Sequence, residues 1–243
     1  MKKTAIIIPT RLGAKRFPNK PLAKIKEIPM IIHVLSRAKE SKVGDVFVAT
    51  PDEEIFQIVK TYGGNAIMTK NDHPTGSDRI YEAYIKELKS SVDLIINLQG
   101  DMPNIKPQSI LKLEKFMRSE ECDIGTLASY IGKKEDYINS NVVKVHTDKA
   151  LKDNVFSEAK DFFRIRKDLK YEKIYHHIGI YAFTSAALTK YVKFSRTKLE
   201  IERNLEQMRA IENKLVVKIG LCDSKPLGVD TEEDLIKVTK EMN

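Results

Sequence analysis

The sequence predicts an α/β fold in which a mostly parallel sheet carries helices on both faces. Short apolar runs rich in β-branched residues, typical of buried strands, occur at 4–9, 45–50 and 92–98. Stretches with helical spacing of apolar residues lie between them, at 30–39, 52–62 and 77–89, and Gly63-Gly64 marks a turn. Strands that alternate with helices build a parallel sheet, and ligands bind beyond the carboxyl ends of its strands.

The second half of the chain is less regular. It predicts strands at 178–183 and 216–221, and helices at 185–191, 199–213 and 232–242. The chain has 243 residues and shows no internal repeat and no linker rich in Pro, Gly or Ser. We therefore expect a single domain, 1–243, with residues from about 130 to 205 forming an excursion from the sheet.

Composition narrows the class of protein. A net charge of +8 raises the alternative of a nucleic-acid-binding protein, but the lysines are spread among 34 acidic residues and no basic run reaches five. The first apolar run is too short for a signal peptide or a membrane span, so we expect a cytosolic protein without a membrane partner. The two cysteines, Cys122 and Cys222, are expected to be reduced thiols rather than zinc ligands.

The loop after the first strand carries three cations. Arg11, Arg16 and Lys20 follow Pro9 at the strand's carboxyl end, where they would neutralise a triphosphate, and Gly13 lets the backbone approach it. The alternative interpretation is a solvated basic loop. The position of this loop directly after the opening strand favours phosphate binding. The loop has neither G-x-x-x-x-G-K-[ST] nor G-x-G-x-x-G, so hydride chemistry on a dinucleotide is disfavoured.

Asp101 and Asp230 each lie at the boundary of a predicted element. Asp101 follows a buried strand and Gly100, at a strand's carboxyl end that suits a ligand for Mg²⁺. Asp230 precedes Thr231, which is predicted to cap the last helix. Taken alone, Asp101 is also compatible with a simple turn and Asp230 with a helix-capping acid.

These segments closely resemble the 3-deoxy-manno-octulosonate (Kdo) cytidylyltransferase family, also called CMP-Kdo synthetases. That family opens with I-P-A-R-x-x-S-x-R-[LF]-P-x-K-P-L, which is matched here by Ile8-Pro9-Thr10-Arg11 and by Arg16 to Leu22. Further family patterns are matched in chain order by M-T-K-N-D-H-P-T-G-S-D-R at 68–79, N-L-Q-G-D-M-P at 97–103, H-I-G-I-Y-A-F at 177–183, L-E-I-E-R-N-L-E-Q-M-R at 199–209 and G-V-D-T-E-E-D-L at 228–235.

The resemblance implies a Rossmann-like nucleotidyltransferase fold with a mixed, mostly parallel sheet and a smaller excursion for sugar binding and dimerisation. It implies transfer of CMP from CTP to the anomeric hydroxyl of Kdo, giving CMP-Kdo and pyrophosphate for lipopolysaccharide synthesis, by a cytoplasmic, Mg²⁺-dependent homodimer. The implied catalytic residues are Arg11, Arg16, Lys20 and Asp101, and the implied Mg²⁺ ligands are Asp101 and Asp230. The implied nucleotide contacts are Pro9, Arg11, Gly13, Arg16, Lys20, His73, Ser77, Arg79 and Gln99. The implied sugar contacts are Gln99, His177, Tyr181, Glu206 and Gln207.

The segment 68–79 also has a structural interpretation. Without the family, His73 is a turn residue, Ser77 a helix cap and Asp78-Arg79 a charge pair in the first turn of a helix. The complete spacing of the family pattern favours the functional interpretation.

The chain departs from the family at a few positions. Thr10 replaces Ala, Leu12-Gly13-Ala14 replaces a more hydroxyl-rich stretch, and Met102 replaces Glu. Glu158 follows Phe156-Ser157 where the family has Arg, so we expect Arg164 or Arg166 to supply that cation. The alternatives are a sugar pocket that prefers a less acidic or amino-bearing relative of Kdo, and a variable loop in which Glu158 contacts no substrate.

Four alternatives remain open. One is activity on a related ulosonic acid, such as 8-amino-Kdo or a sialic-type sugar, and another is synthesis of a CDP-alcohol. The others are nucleic-acid binding and a non-enzymatic interaction role. The matches at 177–183 and 199–209 argue against the first two, and the acidic segment at 200–212 argues against nucleic-acid binding.

Overall fold

The computed structural model describes residues 3–13, 16–89, 91–166 and 172–242. These residues belong to two compact units, one formed by Met1–Glu114 with Pro226–Asn243 and the other by Lys115–Lys225. None of the described helices is long and apolar enough to cross a membrane. The prediction of a single domain with an excursion at 130–205 stays a prediction.

The elements follow one another along the chain. The strands are β1 Thr4–Pro9, β2 Lys24–Ile25, β3 Ile28–Pro29, β4 Asp45–Thr50, β5 Asn65–Met68, β6 Leu94–Leu98, β7 Ile124–Ser129, β8 Lys144–Thr147, β9 Ser157–Phe163, β10 Ile174–Thr184 and β11 Val217–Leu221. The helices are α1 Met30–Glu40, α2 Glu53–Thr61, α3 Gly76–Ala83, α4 Pro107–Ser119, α5 Ser185–Tyr191, α6 Lys198–Arg203, α7 Met208–Glu212 and α8 Glu232–Glu241. Helix α3 continues into a π-helical turn at Tyr84–Leu88, which completes the helix predicted at 77–89.

The first unit is built on a parallel sheet in the order β5-β4-β1-β6. Every residue of β1 and β6 is buried, as expected for strands covered on both faces. In the centre of the sheet Ile6 lies opposite Val46 on one side and Ile96 on the other. The carboxyl ends of β1 and β6 therefore meet at the same edge, and the predicted α/β fold class is confirmed.

Helix α8 joins the first unit through a small apolar cluster. Ile25, Met30, Val229 and Val238 are fully buried there, and Phe17 of the basic loop packs against them. At the start of α8, Thr231 and Asp234 form a capping box, which confirms Thr231 as the cap. The cluster therefore brings the basic loop and the beginning of α8 together.

The second unit contains a closed ring of strands. Its order is β10-β7-β11-β9-β8, and β8 pairs back with β10. Only β7 and β11 run parallel, and the other pairs in the ring are antiparallel. The strand predicted at 178–183 lies within β10, and the one predicted at 216–221 corresponds to β11.

The helix predicted at 199–213 is wrong, because the chain forms two short helices, α6 and α7. Asn204 takes a left-handed conformation with φ 51° directly after α6 and turns the chain. Glu200 and Arg209 then form a buried ion pair, with Nη2 to Oε1 at 2.6 Å. In one continuous helix these residues would lie about 13 Å apart along the axis, too far to pair.

Candidate active site

The basic loop leaves β1 and is held in place by backbone contacts. The amide of Leu12 donates to Asp52 Oδ2 at 2.8 Å, and the amide of Asn19 donates to Leu12 O at 3.2 Å. Asn19 has φ 56°, and this left-handed turn starts the short 3₁₀ helix that begins at Lys20. The turn places Lys20 at the rim of the sheet, with its side chain only 14% exposed.

Asp101 reaches the same rim from the end of β6. A Cβ at Gly100 would lie 3.2 Å from Pro9 O, so this tight exit from β6 favours glycine. The amide of Val229 donates to Asp101 O at 2.9 Å, and this contact ties the loop before α8 to the loop after β6. The two acidic residues predicted as metal ligands are therefore on adjoining loops.

One lysine connects both acidic residues. Lys20 Nζ lies 3.0 Å from Asp101 Oδ2 and 3.3 Å from Asp230 Oδ1. Arg16 Nη2 lies 2.9 Å from the other oxygen of Asp230, Oδ2. Because Asp230 directs its carboxylate at these cations while Thr231 caps α8, the interpretation of Asp230 as a capping acid is wrong. The structure thus brings two cations of the basic loop, Arg16 and Lys20, together with the two acidic residues predicted as metal ligands.

The donor set fits Mg²⁺. Two aspartate carboxylates share one cation, the Lys20 ammonium, so a cation can be held between them. Carboxylate oxygens are the protein ligands that Mg²⁺ prefers, and it commonly takes one or two of them and completes its shell with water and phosphate oxygens. Within the described ranges no group of three His, Cys, Asp or Glu side chains is placed to hold a metal ion.

A cleft of about 280 Å³ lies beside these residues in the first unit. Predicted residues that line it are Pro9, Arg11, Lys20, His73, Arg79, Gln99 and Asp101. Residues that line it without having been predicted as contacts are Thr10, Pro21, Pro74, Thr75, Gly76 and Gly100. All of this second group except Thr75 are directly adjacent in sequence to a predicted contact, and all of them lie within the motifs at 8–22, 68–79 and 97–103, so the motifs were the signal for them.

The amino end of α3 forms one wall of the cleft. The Thr75 side chain caps the helix by accepting from the amide of Asp78, so the interpretation of Ser77 as the cap is wrong. Ser77 lies in the first turn and is buried. A Cβ at Gly76 would touch the Pro9 ring at 3.5 Å, so the helix start packs closely against the end of β1. A helix start of this kind presents backbone N–H groups that suit an anion.

His73 and Arg79 are braced by neighbours. His73 Nε2 forms a hydrogen bond with Glu82 Oε2. Burial by itself would raise the pKa of Glu82. Hydrogen bonds from Lys86, His73 and the Lys70 amide outweigh burial and lower this pKa to about 2. Arg79 donates to Thr69 Oγ1 at 2.5 Å and to Lys70 O at 2.8 Å. Burial and then the charge of Arg11 lower the pKa of Arg79.

Gly13, Arg16 and Ser77 do not line the cleft. For Arg16 the reason is its ion pair with Asp230, which directs the side chain along the rim. Their nucleotide contacts stay predictions.

The second unit holds the other predicted sugar contacts. The rings of His177 and Tyr181 lie 5.4 Å apart, and Thr126 Oγ1 lies 3.0 Å from His177 Nε2. Burial and then His176 lower the pKa of His177 to about 3, so its imidazole is neutral. Burial and then the charge of Glu206 raise the pKa of Tyr181 well above its usual value. This cluster can offer neutral hydrogen-bonding groups; its contact with sugar stays a prediction.

Gln99 and Gln207 complete the predicted set. Gln99 belongs to the first unit, where Nε2 donates to Asn97 Oδ1 at 3.2 Å, and Gln207 in the second unit is 8% exposed.

The positions that depart from the family have distinct surroundings. Met102 is 5% exposed and therefore packs in the interior. Glu158 is exposed on β9, with Oε1 2.9 Å from Lys160 Nζ. Arg164 donates to Ser140 O at 2.9 Å, whereas Arg166 Nη1 lies 3.7 Å from Asp161 Oδ2. Ala14 lies outside the described residues.

Known proteins resemble this chain over nearly its whole length. The family model described as cytidylyltransferase matches residues 5–219. A 3-deoxy-manno-octulosonate cytidylyltransferase from Brucella canis is 43% identical over 234 residues, which cover 96% of this chain and 93% of the relative. One from Thermodesulfovibrio yellowstonii is 44% identical over 250 residues, covering 99% and 98%.

A solved structure agrees with these relatives. The structure of CMP:2-keto-3-deoxy-manno-octonic acid synthetase in complex with CTP has a TM-score of 0.89 and 34% sequence identity. The match covers 99% of this chain and 98% of that one. The fold, the order of the motifs and the full-length identity agree, and the chain belongs to the 3-deoxy-manno-octulosonate cytidylyltransferase family.

Proposed function

We propose that this chain transfers CMP from CTP to the anomeric hydroxyl of Kdo, releasing pyrophosphate, in a Mg²⁺-dependent reaction. The observation that carries the proposal is the convergence of Lys20, Asp101 and Asp230 beside the cleft, since Lys20 Nζ lies within 3.3 Å of both carboxylates. Cations that suit a triphosphate and carboxylates that suit a divalent metal are then next to each other. Nucleotidyl transfer requires both.

Asp101 and Asp230 are the residues that would hold Mg²⁺. When bound there, the ion supplies positive charge that neutralises the α-phosphate. Asp101 is oriented by the backbone bond from Val229, and the Asp230 amide donates to Asp234 Oδ2 at 3.2 Å. The backbone at both aspartates is thus fixed by the chain before substrate arrives, which lowers the entropic cost of assembling the site.

Cationic groups around the cleft would bind the triphosphate. Arg11 and Lys20 line the cleft, and the amino end of α3 faces it. The anomeric hydroxyl gives up its proton to solvent water as its oxygen forms a bond to the α-phosphorus, the bond from phosphorus to the α,β-bridging oxygen breaks, and pyrophosphate leaves with that electron pair. The chain stabilises the leaving charge by fixed cations and dipoles. No protein nucleophile is required.

His177, Tyr181, Glu206, Gln207 and Gln99 are the proposed sugar contacts, on the strength of the family motifs. The neutral imidazole of His177 and the protonated phenol of Tyr181 suit hydrogen bonds to sugar hydroxyls. We also propose, from the family resemblance alone, a cytoplasmic homodimer that serves lipopolysaccharide synthesis. Sedimentation of the purified protein tests the dimer.

The test of the metal assignment is a pair of isosteric substitutions. Asp101→Asn and Asp230→Asn each remove one charge and keep the side-chain shape. We expect both variants to unfold near the wild-type temperature and to lose at least about 100-fold in kcat at saturating Mg²⁺. Near-normal kcat with an unchanged Mg²⁺ dependence in either variant would remove that residue from the metal site.

A further inference from the structure

Lys20 is bonded to the two carboxylates that are assigned to the metal. Its ammonium lies 3.0 Å from Asp101 Oδ2 and 3.3 Å from Asp230 Oδ1, while its side chain is only 14% exposed. An ammonium removed from water in this way depends on its counter-charges more than an exposed lysine does. The ammonium is thus largely shielded from water, whereas the side chains of Asp101 and Asp230 are 31% and 46% exposed.

We propose that Lys20 and a divalent cation compete for Asp101 and Asp230. A bound triphosphate would favour the divalent cation, because Lys20 would then pair with a phosphate oxygen and leave the carboxylates available. The proposal rests on the proposed function, because it uses the same two carboxylates as metal ligands. A divalent cation held between the carboxylates would lie within a few ångströms of the ammonium. Like charges at that separation repel strongly when they are partly shielded from water.

A triphosphate bound in the cleft would offer Lys20 another anionic partner. Lys20 also lines the cleft, together with Arg11 and Gly76 at the amino end of α3, where a triphosphate would lie. The lysine side chain has a flexible four-carbon stem, so its ammonium can exchange a carboxylate for a phosphate oxygen without movement of the backbone. Binding of the triphosphate would then leave Asp101 and Asp230 available to the metal.

This exchange makes nucleotide and metal binding cooperative. If the nucleotide strengthens metal binding by removing Lys20, the metal must strengthen nucleotide binding by the same factor. Arg16 contributes less, because it contacts only one of the carboxylates, Asp230, and its side chain is 65% exposed. Lys20 thus acts as a positioning residue for the metal site, in addition to its role as a phosphate contact.

The test is binding of Mn²⁺, followed by its electron paramagnetic resonance signal, to the full chain without nucleotide or sugar. Lys20→Met removes the competing charge, and we expect its Kd for Mn²⁺ to fall about fivefold or more relative to wild type. Arg11→Met is the matched control, since it removes one charge from the same cleft and Arg11 makes no ion pair with Asp101 or Asp230 among the described contacts. We expect the Kd of this control to stay within about twofold of wild type.

Two results would overturn the proposal: an unchanged Kd in Lys20→Met, or an equal tightening in Lys20→Met and Arg11→Met. Lys20→Gln, with a thermal unfolding check, serves as a second variant if Lys20→Met does not fold. The measurement contains neither CTP nor Kdo. A chain that binds Mn²⁺ as expected but forms no CMP-Kdo would therefore refute the proposed function and leave the competition standing.

Discussion

The guanidinium of Arg209 and the carboxylate of Glu200 form a two-point ion pair, with Nε to Oε2 at 2.8 Å and Nη2 to Oε1 at 2.6 Å. Their side chains are 2% and 1% exposed. The pair joins α6 to α7 across the turn at Asn204, and the Arg209 guanidinium also lies 4.7 Å from the centre of the Tyr191 ring. The chain segment that carries Glu206 and Gln207 is thereby fixed between two paired residues.

Removal of Arg209 should be strongly destabilising. Among the described ion pairs, Arg209→Met leaves the buried carboxylate of Glu200 with the exposed Arg196 as its remaining cation. We therefore expect a loss of about 3 kcal/mol in the free energy of unfolding, measured in urea. Lys198→Met is the control, because the Lys198–Glu202 pair spans 3.7 Å at the surface, and it should change stability by less than about 0.5 kcal/mol. Equal effects of the two substitutions would contradict this account of the pair.

Lys20 and Arg16 should differ in their effect on the use of CTP. Lys20→Ala removes a largely buried cation from the cleft, and we expect kcat/KM for CTP to fall by about 10- to 100-fold. Arg16→Ala removes a side chain that is 65% exposed, so we expect a loss of only a few-fold, about 2–5. Steady-state kinetics with CTP and Kdo varied separately should show a smaller effect on the KM for Kdo. Unchanged kcat and KM for CTP in both variants would show that the basic loop is a solvated surface that does not bind the nucleotide.

The sequence predicts the first unit better than the second, for a physical reason. Buried parallel strands such as β1 and β6 are continuous apolar runs, and a strand's carboxyl end is known once its run is known. The ring in the second unit includes strands such as β9, SEAKDFF, whose mixture of charged and apolar residues resembles an exposed segment. The break at Asn204 depends on the Glu200–Arg209 pair, and such a tertiary contact has no local pattern in the sequence.

The site shows the same division. The motifs predicted Asp101 and Asp230 as metal ligands and Lys20 as a phosphate contact. The contact of Lys20 with both carboxylates could not be predicted, because it depends on how the ends of β1 and β6 and the start of α8 pack together. Likewise, Thr75 rather than Ser77 caps α3, a choice of two residues that the sequence leaves open because both are good caps.

His177 should make stability depend on pH in the acid range. Its pKa is about 3 in the folded chain against 6.5 as the ordinary value, so the unfolded chain binds a proton between these pH values that the folded chain does not. Stability therefore falls as pH falls from 6.5 towards 3, by up to about 1.4 kcal/mol per pH unit from this one group. His177→Gln keeps a hydrogen-bonding side chain beside Thr126 and removes the titration. Urea unfolding at several pH values gives the free energy of unfolding as a function of pH. We expect this dependence on pH to be shallower in the variant than in the wild type, and an identical dependence would contradict the prediction.

Arg164 should be the cation that compensates for Glu158. Arg164 bonds to a backbone carbonyl, Ser140 O, whereas Arg166 lies near the Asp161 carboxylate, so the charge of Arg164 is the more available to a sugar acid. We expect Arg164→Ala to raise the KM for Kdo by about tenfold and Arg166→Ala to change it by less than about threefold. Kinetics with 8-amino-Kdo in parallel provide the contrast. Full activity on Kdo in both variants, or a strong preference of the wild type for the amino sugar, would overturn this assignment.

The central claim is Mg²⁺-dependent transfer of CMP to Kdo, and release of pyrophosphate measures it most directly. The wild-type chain is supplied with each of the four nucleoside triphosphates in turn, with Kdo, 8-amino-Kdo or a sialic acid, and with or without Mg²⁺. The cluster of Lys20, Asp101 and Asp230 and the family motifs predict rapid release only when CTP, Kdo and Mg²⁺ are present together. Release of pyrophosphate that needs no sugar, or that proceeds equally well without Mg²⁺ or with another nucleotide, would contradict the account.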